Sequence, residues 1–327
     1  MLETIFSVMS LHPIFTNILI LIASFFIVAK SSDLTVLSIS EYARHFGISD
    51  YLIGFLVLAI GSSLPEFAAS LTGSSAHESG VIFGTLIGSG ITTLTLVLGL
   101  IAIFAKRIIL KDKILNETRL ALFPMIVLPF VLMIDGTLSR IDGFILLFIF
   151  LSFVVYLWQK EGSFGKLKSA HLKHVWRHAL VFLGSLIAIL LSARWLVFSS
   201  INLASLFHIS PFFIAIFVIS LGSSLPDLMV QLRSLRKGRT SIGIGEILGA
   251  LIVEMNLMLG ILALIHEIPL GSLNFFNIGL TGAFYIGTLS YILYLMGKKE
   301  MTQKNGIVLV SIYFLFIVTQ IIVAKMI

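Results

Sequence analysis

The sequence predicts an all-α polytopic membrane protein whose ten transmembrane helices form two inverted five-helix repeats. Three observations lead there. The 327 residues are 58% hydrophobic and 12% charged, well above the roughly 45 to 50% apolar content of a soluble domain. Apolar runs of about 20 residues, the length that crosses a hydrocarbon core, recur along the whole chain, and the basic residues gather between alternate runs. Finally, Gly61-Ser62-Ser63-Leu64-Pro65-Glu66 aligns without a gap on Gly222-Ser223-Ser224-Leu225-Pro226-Asp227, at an offset of 161 residues.

Hydropathy and punctuation centre the spans near residues 21, 63, 93, 127, 150, 188, 223, 253, 284 and 314. The first run, His12 to Lys30, is preceded by Glu3 as its only charge and lacks a small-residue cleavage site, so it is expected to be a retained span. The connections after spans one, three, five, seven and nine carry nineteen of the 22 Lys and Arg; Arg140, Arg194 and Lys325 fall elsewhere. Cytoplasmic loops hold such an excess, so these connections are expected inside and both termini outside, in a prokaryotic cytoplasmic membrane. The net charge of +6 is thereby explained by topology and calls for no nucleic acid. The bilayer is the expected partner, and the sequence names no protein partner.

The same offset of 161 pairs Gly84 with Gly245, Gly88 with Gly249, and Leu98-Gly99 with Leu259-Gly260. Five spans separate equivalent points, and an odd number inverts the second copy, as in many secondary transporters. The first repeat is expected over residues 1–159, with its signature at 54–100. A short basic linker covers 160–177, and the second repeat covers 178–327 with its signature at 215–261. The glycines at 80, 84 and 88, echoed at 245 and 249, have the small-xxx-small spacing of closely packed helices.

Both copies place proline and then an acid near the middle of a span, a choice that lipid penalises. Pro65 and Pro226 have no N–H for the carbonyls of Gly61 and Gly222, so each helix is expected to be interrupted there. Backbone carbonyls and the hydroxyls of Ser62, Ser63, Ser223 and Ser224 then offer hard oxygen ligands, with Glu66 and Asp227 supplying charge. Glu246 and Glu254 add two carboxylates on the following helix, eight residues or about 2.2 turns apart; Glu246 is expected nearer the cytoplasmic end and open to solvent. A carboxylate at the bilayer centre costs about 2.5 to 3.5 kcal/mol on insertion scales, so several together imply a cation, a proton or water that offsets them. With no cysteine in the chain, and with His77 and His266 expected in outer loops, soft metals are excluded in favour of Na⁺, Ca²⁺ or H⁺. These cations are cargo; no cofactor is expected.

These residues resemble the cation/calcium antiporter superfamily, whose sodium/calcium exchangers carry two inverted repeats of the form Gly-Thr-Ser-Leu-Pro-Glu, each followed by a Gly-Asn-x-x-Gly-Ser-Asn-type helix. The resemblance implies that Glu66 and Asp227 are paired acidic ligands, that Ser62, Ser63, Ser223 and Ser224 are hydroxyl ligands, and that Ala59 and Ser220 contribute backbone carbonyls. Ser89 keeps a ligand position, whereas Thr85, Gly90 and Thr93 stand where asparagines are usual. In the second repeat Glu246 replaces an amide, Ala250 and Leu251 replace a small polar pair, and Glu254 stands where an aspartate or amide is usual. Negative charge thus shifts toward the second repeat.

The expected function is secondary active antiport, exchanging Ca²⁺ for Na⁺ or H⁺ by alternating access. The alternatives are a proton- or monovalent-cation exchanger without Ca²⁺ transport, and a non-transporting scaffold or sensor on the same fold. A GxxxxGK[ST] loop, HExxH and GxSxG are all absent from the sequence, which argues against ATP-driven pumping and against an enzyme. Arg194 is expected to snorkel outward, and His171, His174 and His178 to sit in or beside the central basic loop near anionic lipid.

Overall fold

The computed structural model describes residues 13–45, 59–109, 113–161, 172–224, 228, 231–232, 240–270 and 275–326. Helix α1 spans Pro13–His45. It is followed by α2 (Ala59–Ser62) and α3 (Leu64–Ser75), which are successive parts of one interrupted helix. Helix α4 runs over Ser79–Ala105, α5 over Lys113–Leu132, α6 over Arg140–Glu161 and α7 over Leu172–Phe207. Then come α8 (Pro211–Ser224) and α9, which is built from Thr240–Ile252, Val253–Met258 and Leu259–Ile265. Helices α10 (Phe275–Gly297) and α11 (Gln303–Met326) complete the fold. Seven helices among the described residues are long and apolar enough to cross a membrane.

Burial sorts these helices into a centre and a surround. The apolar windows of α4 and α9 are each 83% buried, whereas those of α1, α6, α7 and α11 are 28 to 33% buried. The surround exposes large apolar side chains such as Phe144, Phe148, Leu183, Ile187, Phe314 and Leu315. Water would not tolerate such a surface on a soluble protein, and lipid selects it. The two buried helices are the ones that carry Ser89, Thr93, Glu246 and Glu254, so the chain surrounds its polar side chains with its own apolar ones.

Helices α1 and α7 pack antiparallel. Asn202 donates to Asn17 Oδ1 at 3.3 Å near one end, and the hydroxyls of Thr35 and Ser185 lie 2.7 Å apart near the other. The C-terminal part of α4 packs on α11 and that of α9 on α6. Glycine allows both approaches: a Cβ on Gly99 would lie 3.0 Å from the Gly306 carbonyl, and one on Gly260 would lie 3.1 Å from that of Gly143. Short antiparallel ribbons tie the same helices together. Strand β1 (Arg107–Ile109) pairs with β4 (Glu300–Thr302), and β2 (Thr137–Leu138) pairs with β3 (Ile268–Pro269). Arg107 and Glu300 add an exposed ion pair at 2.6 Å.

Proline inside a membrane helix leaves a carbonyl to be satisfied. Pro129 has no N–H for the carbonyl of Met125, and the Asn256 amide donates to that carbonyl at 3.1 Å. A buried amide of α9 therefore completes the backbone of α5.

Two boundaries differ from the sequence expectation. The first helix does not stop at Lys30: α1 continues to His45, because Ser31 to His45 contains neither glycine nor proline and polar side chains alone do not end a helix. Similarly, α7 begins at Leu172, inside the expected linker, which leaves 162–171 outside the described residues. Arg194 is exposed on α7, in accord with snorkelling. His171 lies outside the described residues; His174 and His178 fall within α7.

Candidate functional site

The interruption expected at the first proline is present. Helix α2 ends at Ser62, Ser63 stands between the two parts, and Pro65 occupies the first turn of α3. Ser63 N–H still reaches the Ala59 carbonyl at 3.2 Å, and Phe67 N–H reaches that of Ser63 at 3.0 Å. The break thus turns the chain without unravelling it. It places Glu66 in the first turn of α3, where the amide end of a helix favours negative charge.

Glu66 and Glu254 are 2% and 4% exposed, and their carboxyls lie close enough to interact electrostatically. Hydroxyls from the break before α3 and from α4 hold Glu254: Ser63 donates to Oε1 at 3.3 Å and Ser89 to Oε2 at 3.0 Å. Ser223 lies beside the Glu66 carboxyl, whose Oε2 has no hydrogen-bond partner. No ion pair among the described residues reaches Glu66 or Glu254. Two buried carboxyls without a basic partner demand a cation or protons, because an uncompensated buried charge is strongly destabilising.

The remaining hydroxyls form a second set of contacts, between α4 and α8 and within the signature segments. Thr92 and Ser220 lie 3.4 Å apart, and Thr93 and Ser224 lie 3.5 Å apart. Ser62 donates to the Ala59 carbonyl at 3.2 Å, and Ser223 and Ser224 donate to the Ser220 carbonyl at 3.1 and 2.8 Å. Ser220 itself donates to the Ile216 carbonyl. Each of these oxygens keeps lone pairs for a hard cation.

Both second helices change their winding at this point. In α4 the segment Thr93–Val97 is π-helical, and in α9 so is Val253–Met258; at the offset of 161 the first falls on Glu254–Met258, so the two coincide except for Val253. A π turn widens the helix and shifts the side chains after it, and it occurs frequently at functional sites. The sodium/calcium exchanger protein family matches residues 16–159 and 177–322, which together make up most of the chain.

The chain belongs to the sodium/calcium exchanger family.

Among its relatives, the inner membrane protein YrbG of Escherichia coli is 35% identical over 257 residues, covering 75% of this chain and 79% of that protein. The sodium/calcium exchanger MaX1 of Methanosarcina acetivorans is 25% identical over 348 residues, covering 92% and 97%. A solved structure of the sodium-calcium exchanger NCX_Mj, soaked with Na⁺ and Sr²⁺, superposes with a TM-score of 0.69 at 28% identity, covering 93% of this chain and 98% of the other.

In this member of the exchanger family the expected site residues divide. Glu66, Glu254, Ser63, Ser89 and Ser223 converge, and Thr93, Ser220 and Ser224 pair beside them. Glu246 stands apart: it is 4% exposed rather than open to solvent, and Gln231 Nε2 donates to it at 3.0 Å. Among the described residues no three His, Asp or Glu side chains gather closely enough to hold a metal ion, so Glu246 does not join Glu66 and Glu254. Eight residues of helix rise about 12 Å, so two positions on one face still lie more than two turns apart along it, and Glu246 takes its own partner in Gln231. Asp227 lies outside the described residues. His77 and His266 meet edge to face, with ring centroids 5.8 Å apart at helix ends, away from the carboxyls. The glycines at 80, 84 and 88 pack on α8. A Cβ on Gly84 would lie 2.6 Å from that of Ala215, and one on Gly88 would lie 2.9 Å from the Ile216 Cα.

Sequence reasoning missed Gln231 and the three π segments, Thr93–Val97, Ala215–Ile219 and Val253–Met258. The polar residue Gln231 following an acidic signature was a usable signal for the first; winding leaves no comparable mark in a sequence.

Proposed function

We propose that the protein is a secondary active antiporter that exchanges Ca²⁺ for H⁺ or Na⁺ by alternating access, with Glu66 and Glu254 as charged ligands. The observation that carries this reading is the pair of buried carboxyls that meet among hydroxyls, with no ion pair to a basic residue among the described residues. Ser62, Ser63, Ser89, Thr93, Ser223, Ser224 and the carbonyls of Ala59 and Ser220 supply neutral oxygens. Asp227 is the fourth carboxylate of the proposal, and Glu246 serves a flanking position. The transport named for the relative MaX1 agrees with this cargo.

Ten helices in two inverted repeats supply the moving parts. Contacts that recur across the offset of 161 support the inversion: β1 and β3 are equivalent, as are the α4–α11 and α9–α6 packings. The basic connections orient both termini outward, in a prokaryotic cytoplasmic membrane. Buried Ala250 and Leu251, on the helix that carries Glu254, favour H⁺ over Na⁺ as the coupling ion, because an apolar wall offers a monovalent cation no ligands there.

Purified protein in liposomes tests the reading. An outward H⁺ gradient should drive ⁴⁵Ca²⁺ uptake, and Glu66→Gln should abolish it. Absence of uptake under both an H⁺ and a Na⁺ gradient overturns Ca²⁺ antiport, and uptake that survives Glu66→Gln overturns the site.

A further inference from the structure

Helix α10 lies outside both signatures, yet it turns a polar face inward. Asn277, Thr281, Tyr285 and Thr288 follow at steps of four, four and three, which places them along one side of a helix. All four are buried, at 6%, 0%, 0% and 2% exposure. Gln320 of α11 donates to the Thr281 hydroxyl at 2.7 Å, so part of this face is satisfied by its neighbour. The Tyr285 hydroxyl is not: it has no hydrogen-bond partner and no solvent.

The position of that hydroxyl is specific. Tyr285 rests against Gly90, where a Cβ would overlap its Cε2 and Oη and lie 2.6 Å from Cζ. Gly90 directly follows Ser89, whose hydroxyl is bonded to Glu254, and Tyr285 itself lies within electrostatic reach of Glu254. The missing side chain at position 90 is therefore the space into which the phenol fits, next in sequence to the serine that holds Glu254. Its ring also packs against Phe130, 5.7 Å away between centroids.

A buried tyrosine hydroxyl normally finds a partner, because leaving it unmade forfeits its hydration for nothing. From the juxtaposition of Gly90, Tyr285 and Glu254 we infer that Tyr285 is a further specificity-determining residue of the cation site: its hydroxyl, unpartnered here, completes the oxygen shell when a cation is held by Glu254. This rests on the reading of Glu66 and Glu254 as a cation site. A phenol is a neutral hard oxygen on a rigid ring, so it adds a ligand without adding charge.

Tyr285→Phe removes that single oxygen and keeps the ring. Thermal unfolding of the purified protein should be followed over a Ca²⁺ titration, for the wild type, Tyr285→Phe and Glu254→Gln. The inference predicts that the cation-free Tyr285→Phe protein melts no lower than the wild type, since an unsatisfied hydroxyl has been deleted. It also predicts that the variant needs about tenfold more Ca²⁺ for the same stabilisation. A purely structural tyrosine gives the opposite pair, a lower cation-free melting temperature with an unchanged Ca²⁺ requirement, and that result overturns the inference. Gly90→Ala, whose methyl displaces the phenol, should weaken Ca²⁺ stabilisation in the same direction, and an unchanged Ca²⁺ requirement there also counts against it. If the wild type is not stabilised by Ca²⁺ at all, the cation site itself fails and the role of Tyr285 falls with it.

Discussion

The contact of Ser63 with Glu254 and the contact of Ser224 with Thr93 are the same contact made twice. The offset of 161 carries Ser63 onto Ser224 and Thr93 onto Glu254, and the two distances are 3.3 and 3.5 Å. In each case a residue of one Gly-Ser-Ser-Leu-Pro signature meets the π segment of α4 or α9. The geometry is shared and the chemistry is not, because one copy presents a carboxylate and the other a hydroxyl. The neighbouring contact differs in the same sense: Thr92 faces Ser220, whereas the equivalent positions hold Val253 and Ala59. Duplication thus supplies a symmetric scaffold, and substitution on it decides which side carries charge.

The largest expected effect separates those two contacts. Glu254→Gln should reduce Ca²⁺ uptake in liposomes by more than about 100-fold, since it removes a charged ligand from a dry site. Thr93→Val should cost only about two- to fivefold, the worth of one neutral hydroxyl. Similar losses from the two would mean that the repeats share the charge burden and that the asymmetry is without consequence.

The scaffold should respond in the opposite manner, with equal effects in both copies. Gly99 and Gly260 occupy equivalent positions against carbonyls of Gly306 and Gly143. Gly99→Ala and Gly260→Ala should each destabilise the protein by about 1 to 3 kcal/mol, because backbone on the facing helix cannot yield as a side chain can. Thermal unfolding in detergent compares them, and a large difference between the two would break the symmetry of the frame.

The smallest effect again concerns equivalent positions with different tasks. Asn256 holds the carbonyl that Pro129 leaves without an N–H, whereas Thr95 bonds within its own helix to Ile91. Asn256→Leu should therefore cost about 1 to 3 kcal/mol and Thr95→Val about 1 kcal/mol or less, measured by the same unfolding assay.

Much of this was legible in the residues. Pro65 and Glu66 announced an interrupted helix and a buried charge, because neither is tolerated in a lipid-facing span without cause. The glycines at 84 and 88 announced close packing, which α8 provides. The length of α1 was not legible, since Lys30 and Asp33 read as the end of a membrane run although nothing in them ends a helix. The partner of Glu246 was hidden too. Counting 2.2 turns puts Glu246 and Glu254 on one face but about 12 Å apart along the helix, and Gln231, which holds Glu246, comes from another segment. Tyr285 escaped notice because its importance depends on the absence of a side chain at Gly90, a contact between residues far apart in sequence.

The central claim is that Glu66 and Glu254 hold a transported cation in place of protons. Its most direct test is to add Ca²⁺ to the purified, unbuffered protein and count both the metal bound and the protons released. Carboxyls must be ionised to ligate, so binding should release protons and should strengthen as the pH rises. The account predicts saturable Ca²⁺ binding with proton release, both lost in Glu254→Gln. Binding that releases no protons and survives that substitution would contradict it.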